Sequence, residues 1–549
     1  MGMVTGNELV ARALKVQEVD MFFYIMGGPM MGVELATMAH GIRGIDVRHE
    51  QAAAMMAHAY ARIRNRPGVC MAASGPATTN LVTGVGHAWG DCVPLVALGG
   101  ASPTTLDGRG AFQEVDQLSI MRPVTKWAER AHHTKRIPEL IARAFDEAGS
   151  GKPGPAYIDL PGDVLYAEVD ETTVEWPEAP SERVKHRPAA TPQAVSDIVE
   201  LLRRAERPAI ISGGGILWAG AEGEYQAFVE ATGIPFYTTP QARGVVPEDH
   251  EYCYLTARST AFREADVILV LGTRLNYVIG HAEAPRFNPE AKLVRIDIDP
   301  EEIASSRRLD VGVVADAKVA LTQLLDAVKG VITPETYRTW RERLAGRNSG
   351  KSGEQEQWLA STDTPVHPLK LCAEVREFMD RDAILVVDGQ EILNYGRQSV
   401  PTHVPRHRIN SGVWGTMGIG LPCGVGAKAA KPQAQVIVLH GDGSFGFNAM
   451  ELDTAVRHNL PLLVIISLNG GWTGDPEHEK PGRDLGYTRY DKMAEALGCY
   501  AEYVESPEEI RGALDRAKAE VEKGRVAVVN VKTDYRARAS TAAFTSYAT

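Results

Sequence analysis

Short apolar runs of four to seven residues recur along this chain, separated by longer amphipathic stretches. Such runs are too short for helices and too apolar for loops. Their alternation with helical periodicity confines the chain to an α/β fold, parallel sheets flanked by helices. The runs fall into three blocks of five: 21–26, 45–48, 68–73, 93–98 and 156–160; then 209–212, 234–237, 267–271, 293–298 and 311–314; then 384–387, 435–439, 462–468, 500–504 and 526–531. Two polar stretches, 171–192 and 346–368, interrupt the pattern and are expected to be linkers. Three domains follow, over 1–170, 190–346 and 366–533, with an aperiodic tail at 534–549.

The length, 549 residues, exceeds what one core organises. A net charge of −12 with no basic block argues against nucleic acid or an anionic membrane as partner, so any anionic ligand must be met by local cations or backbone N–H groups. The six cysteines are scattered without a CxxC pair, as in a protein kept reduced. The first residues lack a signal-peptide pattern, and no apolar run reaches the roughly 18 residues of a membrane span. A cytoplasmic location is therefore expected.

The segment 436–471, VIVLHGDGSFGFNAMELDTAVRHNLPLLVIISLNGG, reads as strand, turn, helix and strand, with the helix expected from about Gly446 to His458. In a parallel sheet both strand ends lie at the carboxyl edge, where ligands of such sheets bind. Asp442 and Asn469, 27 residues further on, can therefore converge on one cation. Hard oxygen ligands with few charges suit Mg²⁺, with phosphate and water completing its octahedron. Gly441, Asp442 and Gly443 make the turn, and Gly443 and Ser444 open the helix, so that their N–H groups can meet a phosphate. A GDG turn alone is equally an ordinary strand-to-helix connection. Three further segments sit at comparable positions: DGQEILNYG from Asp388, the glycine-rich NSGVWGTMGIG from Asn410, and RHEQAAAMMA from Arg48. Glu50 in the last can be read simply as a helix N-terminal acid favoured by the dipole.

Together these segments resemble the thiamine-diphosphate enzymes, whose fingerprint is GDG followed about 27 residues later by an asparagine. The pair of asparagines common in that family is Leu468-Asn469 here. The resemblance covers the whole chain and implies a pyrimidine-binding, a middle and a diphosphate-binding domain, in that order. It implies that Asp442, Asn469 and the Gly471 carbonyl hold Mg²⁺, and that Gly389, Gln390 and Glu391 touch the diphosphate. It further implies that Met417 wedges between the cofactor rings, that the Gly415 carbonyl accepts from the 4′-amino group, and that Glu50 activates the pyrimidine. SGPATTN, 74–80, is another match. Because Glu50 and the GDG turn of one site come from different subunits in this family, a homodimer or homotetramer is implied.

GRGAFQEVDQL, 108–118, matches the family loop that meets substrate, with Phe112 and Gln113 facing the reacting carbon; the plain alternative is a surface loop anchored by an aromatic. WGTMGIG (414–420), VLGTRLNY (270–277) and ARGVVPEDH (242–250) are similar to the 2-hydroxyacyl-CoA lyase and oxalyl-CoA decarboxylase branch. That branch implies an acyl-CoA substrate, with Arg258 and Arg408 on CoA phosphates. It also implies ADP in the middle domain near Asp297 and Asp316, although the lysine expected near Gly214 is missing. Oxalyl-CoA decarboxylases carry Tyr–Glu where Phe112-Gln113 stands. The expectation is therefore a lyase, resembling actinobacterial enzymes acting on 2-hydroxyisobutyryl-CoA and releasing a ketone or aldehyde and formyl-CoA. Alternatives are an oxalyl-CoA decarboxylase, an FAD-containing acetolactate synthase-like enzyme, and a non-catalytic binding protein of this fold. The tail's Arg536, Arg538, Phe544 and Tyr547 suit either a disordered end or a lid over the substrate.

Overall fold

A computed structural model describes residues 2–182, 186–305, 309–472 and 481–539. It contains three parallel sheets. In the first the spatial order is Arg43–Asp46, Met21–Tyr24, Gly68–Ala72, Leu95–Ala101, Pro155–Pro161 and Trp127–Arg130. In the second it is Phe236–Thr238, Pro208–Ser212, Val267–Leu271, Lys292–Asp297 and Val311–Val314. In the third it is Arg408–Asn410, Ile384–Asp388, Val436–Gly441, Leu463–Leu468, Ala527–Lys532 and Tyr500–Val504. Numbered by chain order within each sheet, the first and third both read 2-1-3-4-6-5, and the second reads 2-1-3-4-5. Each chain reverses direction across the sheet between its strands 1 and 3, and the crevice there is where doubly wound sheets bind ligands. A two-stranded antiparallel ribbon, Met3–Thr5 with Glu168–Asp170, ties the start of the first domain to its end.

The central strands are apolar throughout because helices cover both faces of a parallel sheet. Every residue of Gly68–Ala72, Leu95–Ala101 and Pro155–Pro161 is buried. The first and third domains share one continuous core, organised by the helix Glu50–Arg64. Its residues from Ala52 to Arg62 are all buried, because it is packed between helices Pro76–Asp91 and Gly420–Ala430. A helix apolar all round can exist only when enclosed in this way. Small residues set the approach: a Cβ on Gly84 would collide with the Gln51 carbonyl, and one on Gly426 with the Met56 carbonyl. No helix among the described residues is long and apolar enough to cross a membrane.

The expected strands are present, with ends shifted by at most three residues. Four of the described strands lay outside the expectation: the ribbon strands Met3–Thr5 and Glu168–Asp170, and Trp127–Arg130 and Arg408–Asn410, the last two both at sheet edges and carrying charge, so neither shows as an apolar run. The described residues of the stretch 171–192 are irregular apart from short 3-10 turns, and the helix Pro192–Arg204 begins at its end, capped by Thr191. The stretch 346–368 is largely not a linker: helix Arg338–Leu359 runs through it. Its Glu, Gln, Lys and Arg content is polar yet favours helix, and Asn348 fastens it to Thr256, whose N–H donates at 3.0 Å. The helix expected from Gly446 is two helices, Asp442–Asn448 and Glu451–Arg457, the first starting four residues early.

Candidate functional site

In the third sheet, strands 1 and 3 end side by side at Asp388 and Gly441, with Asp388 level with His440. Gly389 has φ +118° and lies so close to the neighbouring strand that an added Cβ would stand 3.1 Å from the Gly441 nitrogen. Only glycine serves there. Asp388 is fully buried; its Oδ1 accepts the Gly389 N–H at 2.7 Å and its Oδ2 the Gly420 N–H at 2.9 Å, and burial pushes its carboxyl up to about 6. Asp388 is a buried acid of this edge that was not among the residues expected there from the sequence. Its position at the end of a strand beside Gly389 is the signal that could have found it.

Asp442 opens the helix after strand 3. Its Oδ1 accepts from Gly443 at 2.8 Å and its Oδ2 from Gly470 at 2.8 Å, so the turn after strand 4 is tied to it. Gly441 is in register with Ser467, which places Asn469 just past the edge beside Asp442. The Asn469 Oδ1 accepts the Gly471 N–H at 3.3 Å. Burial raises the Asp442 carboxyl to about 6, against the opposing pull of the backbone N–H groups around it. A carboxylate so placed, with an amide oxygen next to it, has the donor chemistry a hard divalent cation takes. The Ser444 hydroxyl is buried, donating to the Gly441 carbonyl at 3.0 Å and meeting His440 Nδ1 at 2.9 Å, so its backbone N–H is what remains for a phosphate. Burial holds His440 neutral, down at about 3. Glu391 is half-buried, with its carboxyl raised by burial, and its Oε2 accepts the Ala539 N–H at 2.9 Å. Gln390 precedes the same helix, Glu391–Ser399.

The loop from Ser411 carries Gly415, exposed at φ +62° with open space where a Cβ would go, and half-buried Met417. Asn448 holds its far end, donating to the Gly418 carbonyl at 2.7 Å, and accepts from Gln51 at 2.9 Å.

In the first sheet, Glu50 starts the helix after strand 2, with His49 capping it. Its Oε2 accepts from Asn80 at 2.9 Å. Among the described residues no hydrogen bond or ion pair links Glu50 to the Asp442 turn. Gln113, at φ +59°, accepts the Ser74 hydroxyl at 2.7 Å, while Phe112 is 84 % exposed. Glu114 shapes that loop by accepting the N–H groups of Gly108, Gly110 and Ala111.

In the middle domain Arg258 lies over the Phe262 ring at 5.4 Å. Burial, then the neighbouring charges of Arg286 and Arg397, press its pKa down to about 10. Arg408 is 1 % exposed and donates to the carbonyls of Val400 at 3.3 Å and Gly396 at 3.0 Å, so its guanidinium is spent within the fold. Asp297 and Asp316 line a cavity of about 790 Å³ between the first and middle domains, beside the glycines at the second sheet's strand 1 and 3 ends. Burial raises Asp297 to about 6. Asp316 caps helix Ala317–Val328 and pairs with Arg187 at 3.0 Å. In the tail, Arg538 donates to the carbonyls of Tyr535 and Ala537. Arg536 pairs with Asp534 at 3.2 Å, and Phe544 and Tyr547 lie outside the described residues.

Three family models match the chain in order: thiamine pyrophosphate enzyme, N-terminal TPP binding domain, over residues 4–120; the central domain over 195–324; and the C-terminal TPP binding domain over 393–531. The chain belongs to the thiamine pyrophosphate enzymes. Within that family it is 34 % identical to a 2-hydroxyacyl-CoA lyase of Arabidopsis thaliana, over 97 % of this chain and 96 % of the relative. It is 31 % identical to an oxalyl-CoA decarboxylase of Escherichia coli, over 97 % and 95 %. An acetolactate synthase large subunit of Mycobacterium tuberculosis is 34 % identical over 96 % of each chain.

Proposed function

We propose that this chain is a thiamine-diphosphate- and Mg²⁺-dependent 2-hydroxyacyl-CoA lyase. It cleaves C1–C2 of a short 2-hydroxyacyl-CoA, such as 2-hydroxyisobutyryl-CoA, into a ketone or aldehyde and formyl-CoA. The observation that carries the reading is the near full-length similarity to a 2-hydroxyacyl-CoA lyase. It is supported by Arg258, whose pKa is pressed down by burial and then by the nearby charges of Arg286 and Arg397, a concentration of positive charge that suits a polyphosphate-bearing ligand.

When bound, the cofactor supplies a carbon nucleophile for the substrate carbonyl; the chain's residues hold and polarise it. Asp442, Asn469 and the Gly471 carbonyl hold Mg²⁺. Gly389, Gln390 and the N–H groups of Gly443 and Ser444 meet the diphosphate at the crevice between strands 1 and 3. Glu391 fastens the chain after Asp534 beside them through Ala539. Gly415 and Met417 shape the ring-binding surface. Glu50, oriented by Asn80, holds a proton at the pyrimidine nitrogen. Gln113, fixed by Ser74, orients the substrate, and no second carboxylate is required because no CO₂ leaves. Arg258 serves the CoA phosphates; Arg408, being buried, acts on that surface only by holding the strand Arg408–Asn410 in place.

The active unit is a homodimer or homotetramer in which Glu50 of one subunit completes the site of its partner. The 790 Å³ cavity is the place for ADP. Its wall offers Asp297 to a ribose hydroxyl, but Arg187 already holds Asp316, Lys152 holds Asp299, and Arg274 donates to the Gly90 carbonyl. A diphosphate there has to rely on backbone N–H groups.

The test is incubation with thiamine diphosphate, Mg²⁺ and a panel of acyl-CoAs. Formyl-CoA together with a carbonyl product from a 2-hydroxyacyl-CoA is expected. CO₂ from oxalyl-CoA instead makes the chain a decarboxylase, and a yellow, flavin-bearing protein that forms acetolactate overturns the reading.

A further inference from the structure

The residues assigned to the cofactor do not explain why the loop from Ser411 to Met417 keeps its place, since Gly415 is exposed and has open space about it. The answer lies at the far end of helix Pro76–Asp91. Asp91 has a side chain with no exposure. Its Oδ1 accepts the Val413 N–H at 3.0 Å. Gly412, at φ +61°, is pressed so close that any Cβ would collide with this carboxylate. The other oxygen, Oδ2, accepts from the Gln241 amide of the middle domain. The same short segment is held on its other side by Tyr277, whose hydroxyl donates to the Val413 carbonyl at 2.6 Å. Trp414 then lies on the helix, its indole filling the space that Cβ atoms on Gly86 and Gly90 would take, edge-on to Trp89 with ring centroids 6.3 Å apart.

We infer that Asp91 is a positioning residue for the cofactor loop, acting through the Val413 N–H to fix where Gly415 and Met417 stand. The inference rests on the proposed thiamine-diphosphate site. Arg62, buried beside Asp91, donates to the carbonyls of Gln241 at 3.2 Å and Arg408 at 3.1 Å, so one carboxylate and one guanidinium join all three domains behind the loop. His58 and His87 stand 3.7 and 3.8 Å from Asp91 Oδ2 and with it form a group able to hold a metal ion. Both Asp91 oxygens already accept hydrogen bonds, however, and Arg62 brings its own positive charge, so the carboxylate serves the loop rather than an ion. Pre-organisation of this kind matters because an ångström of misplacement at a reacting group can cost about a hundredfold in rate.

The experiment compares Asp91→Ala, which removes the acceptor, with Asp91→Asn, which keeps an acceptor for Val413, and with Val85→Ala, which destabilises the same helix without touching the loop. Two readouts are taken: amide hydrogen exchange of the peptide spanning 411–418 without cofactor, and C2–deuterium exchange of bound thiamine diphosphate at saturation. Asp91→Ala is expected to speed amide exchange in that peptide and slow C2 exchange, each by roughly tenfold or more, with Asp91→Asn restoring most of both and Val85→Ala changing neither selectively. Equal effects of Asp91→Ala and Val85→Ala, or no effect of either, overturn the inference. Should Asp91→Ala not fold, Tyr277→Phe loosens the same segment from its other side and must show the same two changes, smaller. A wild-type protein that binds no thiamine diphosphate sinks the functional reading instead, leaving the amide readout to judge the positioning by itself.

Discussion

The first and third sheets have the same strand order, 2-1-3-4-6-5, but carry their acids on different strand ends. The first places Glu50 after strand 2, half-buried, against a neutral side-chain amide, Asn80. The third places Asp388 after strand 1 and Asp442 after strand 3, both buried and surrounded by backbone N–H groups, with carboxyls raised to about 6. The difference teaches that this topology supplies equivalent edges, and that burial and partners decide what each does. On the proposed reading, the acid held by backbone amides in the buried crevice takes the cation, and the acid steadied by an asparagine at a half-open edge takes the ligand's proton.

Removing the buried acid should break the comparison most severely. Asp442→Ala is expected to weaken thiamine-diphosphate binding in Mg²⁺ by about a thousandfold or more, about 4 kcal/mol, read by calorimetric titration. Unchanged affinity places the cation elsewhere. The half-open acid should behave differently: Glu50→Gln is expected to bind cofactor nearly as well as wild type while C2–deuterium exchange slows by about 10² or more. Loss of binding in Glu50→Gln, with exchange intact in whatever remains bound, would reverse the two roles.

A smaller effect sharpens the contact between the two sheets. Glu451, 1 % exposed, accepts the Arg48 N–H at 3.1 Å across that contact, and burial pushes its carboxyl from 4.5 up to about 7. A raised carboxyl binds its proton more tightly when folded. The stability it contributes is therefore complete below about 4.5 and is lost as pH rises through about 7. Denaturant titrations of wild type should lose up to about 3 kcal/mol over that window, and Glu451→Gln should show a flatter profile. Parallel profiles would mean that Glu451 is ionised in the fold at no cost.

Much of this was legible in the residues. All fifteen apolar runs became strands because a parallel sheet covered on both faces demands such runs, and Asp442 and Asn469 could be placed because strand ends share an edge. Trp127–Arg130 and Arg408–Asn410 were illegible because edge strands need no apolar run. Arg408 was expected on CoA phosphates and is among the most buried side chains, since the carbonyls that accept from it are brought together only by folding. Asp91 was invisible for the same reason: its partners, Val413 and Gln241, lie 322 and 150 residues away.

The central claim is that the two acids of one site come from two copies of the chain. Co-expression of a Glu50→Gln chain with an Asp442→Ala chain tests it. A mixed dimer then holds one site with both defects and one with neither, so the mixture should regain about a quarter of the wild-type formyl-CoA-forming activity while each variant alone stays inactive. A mixture as inactive as its parents would contradict the account and place both acids of a site within one chain.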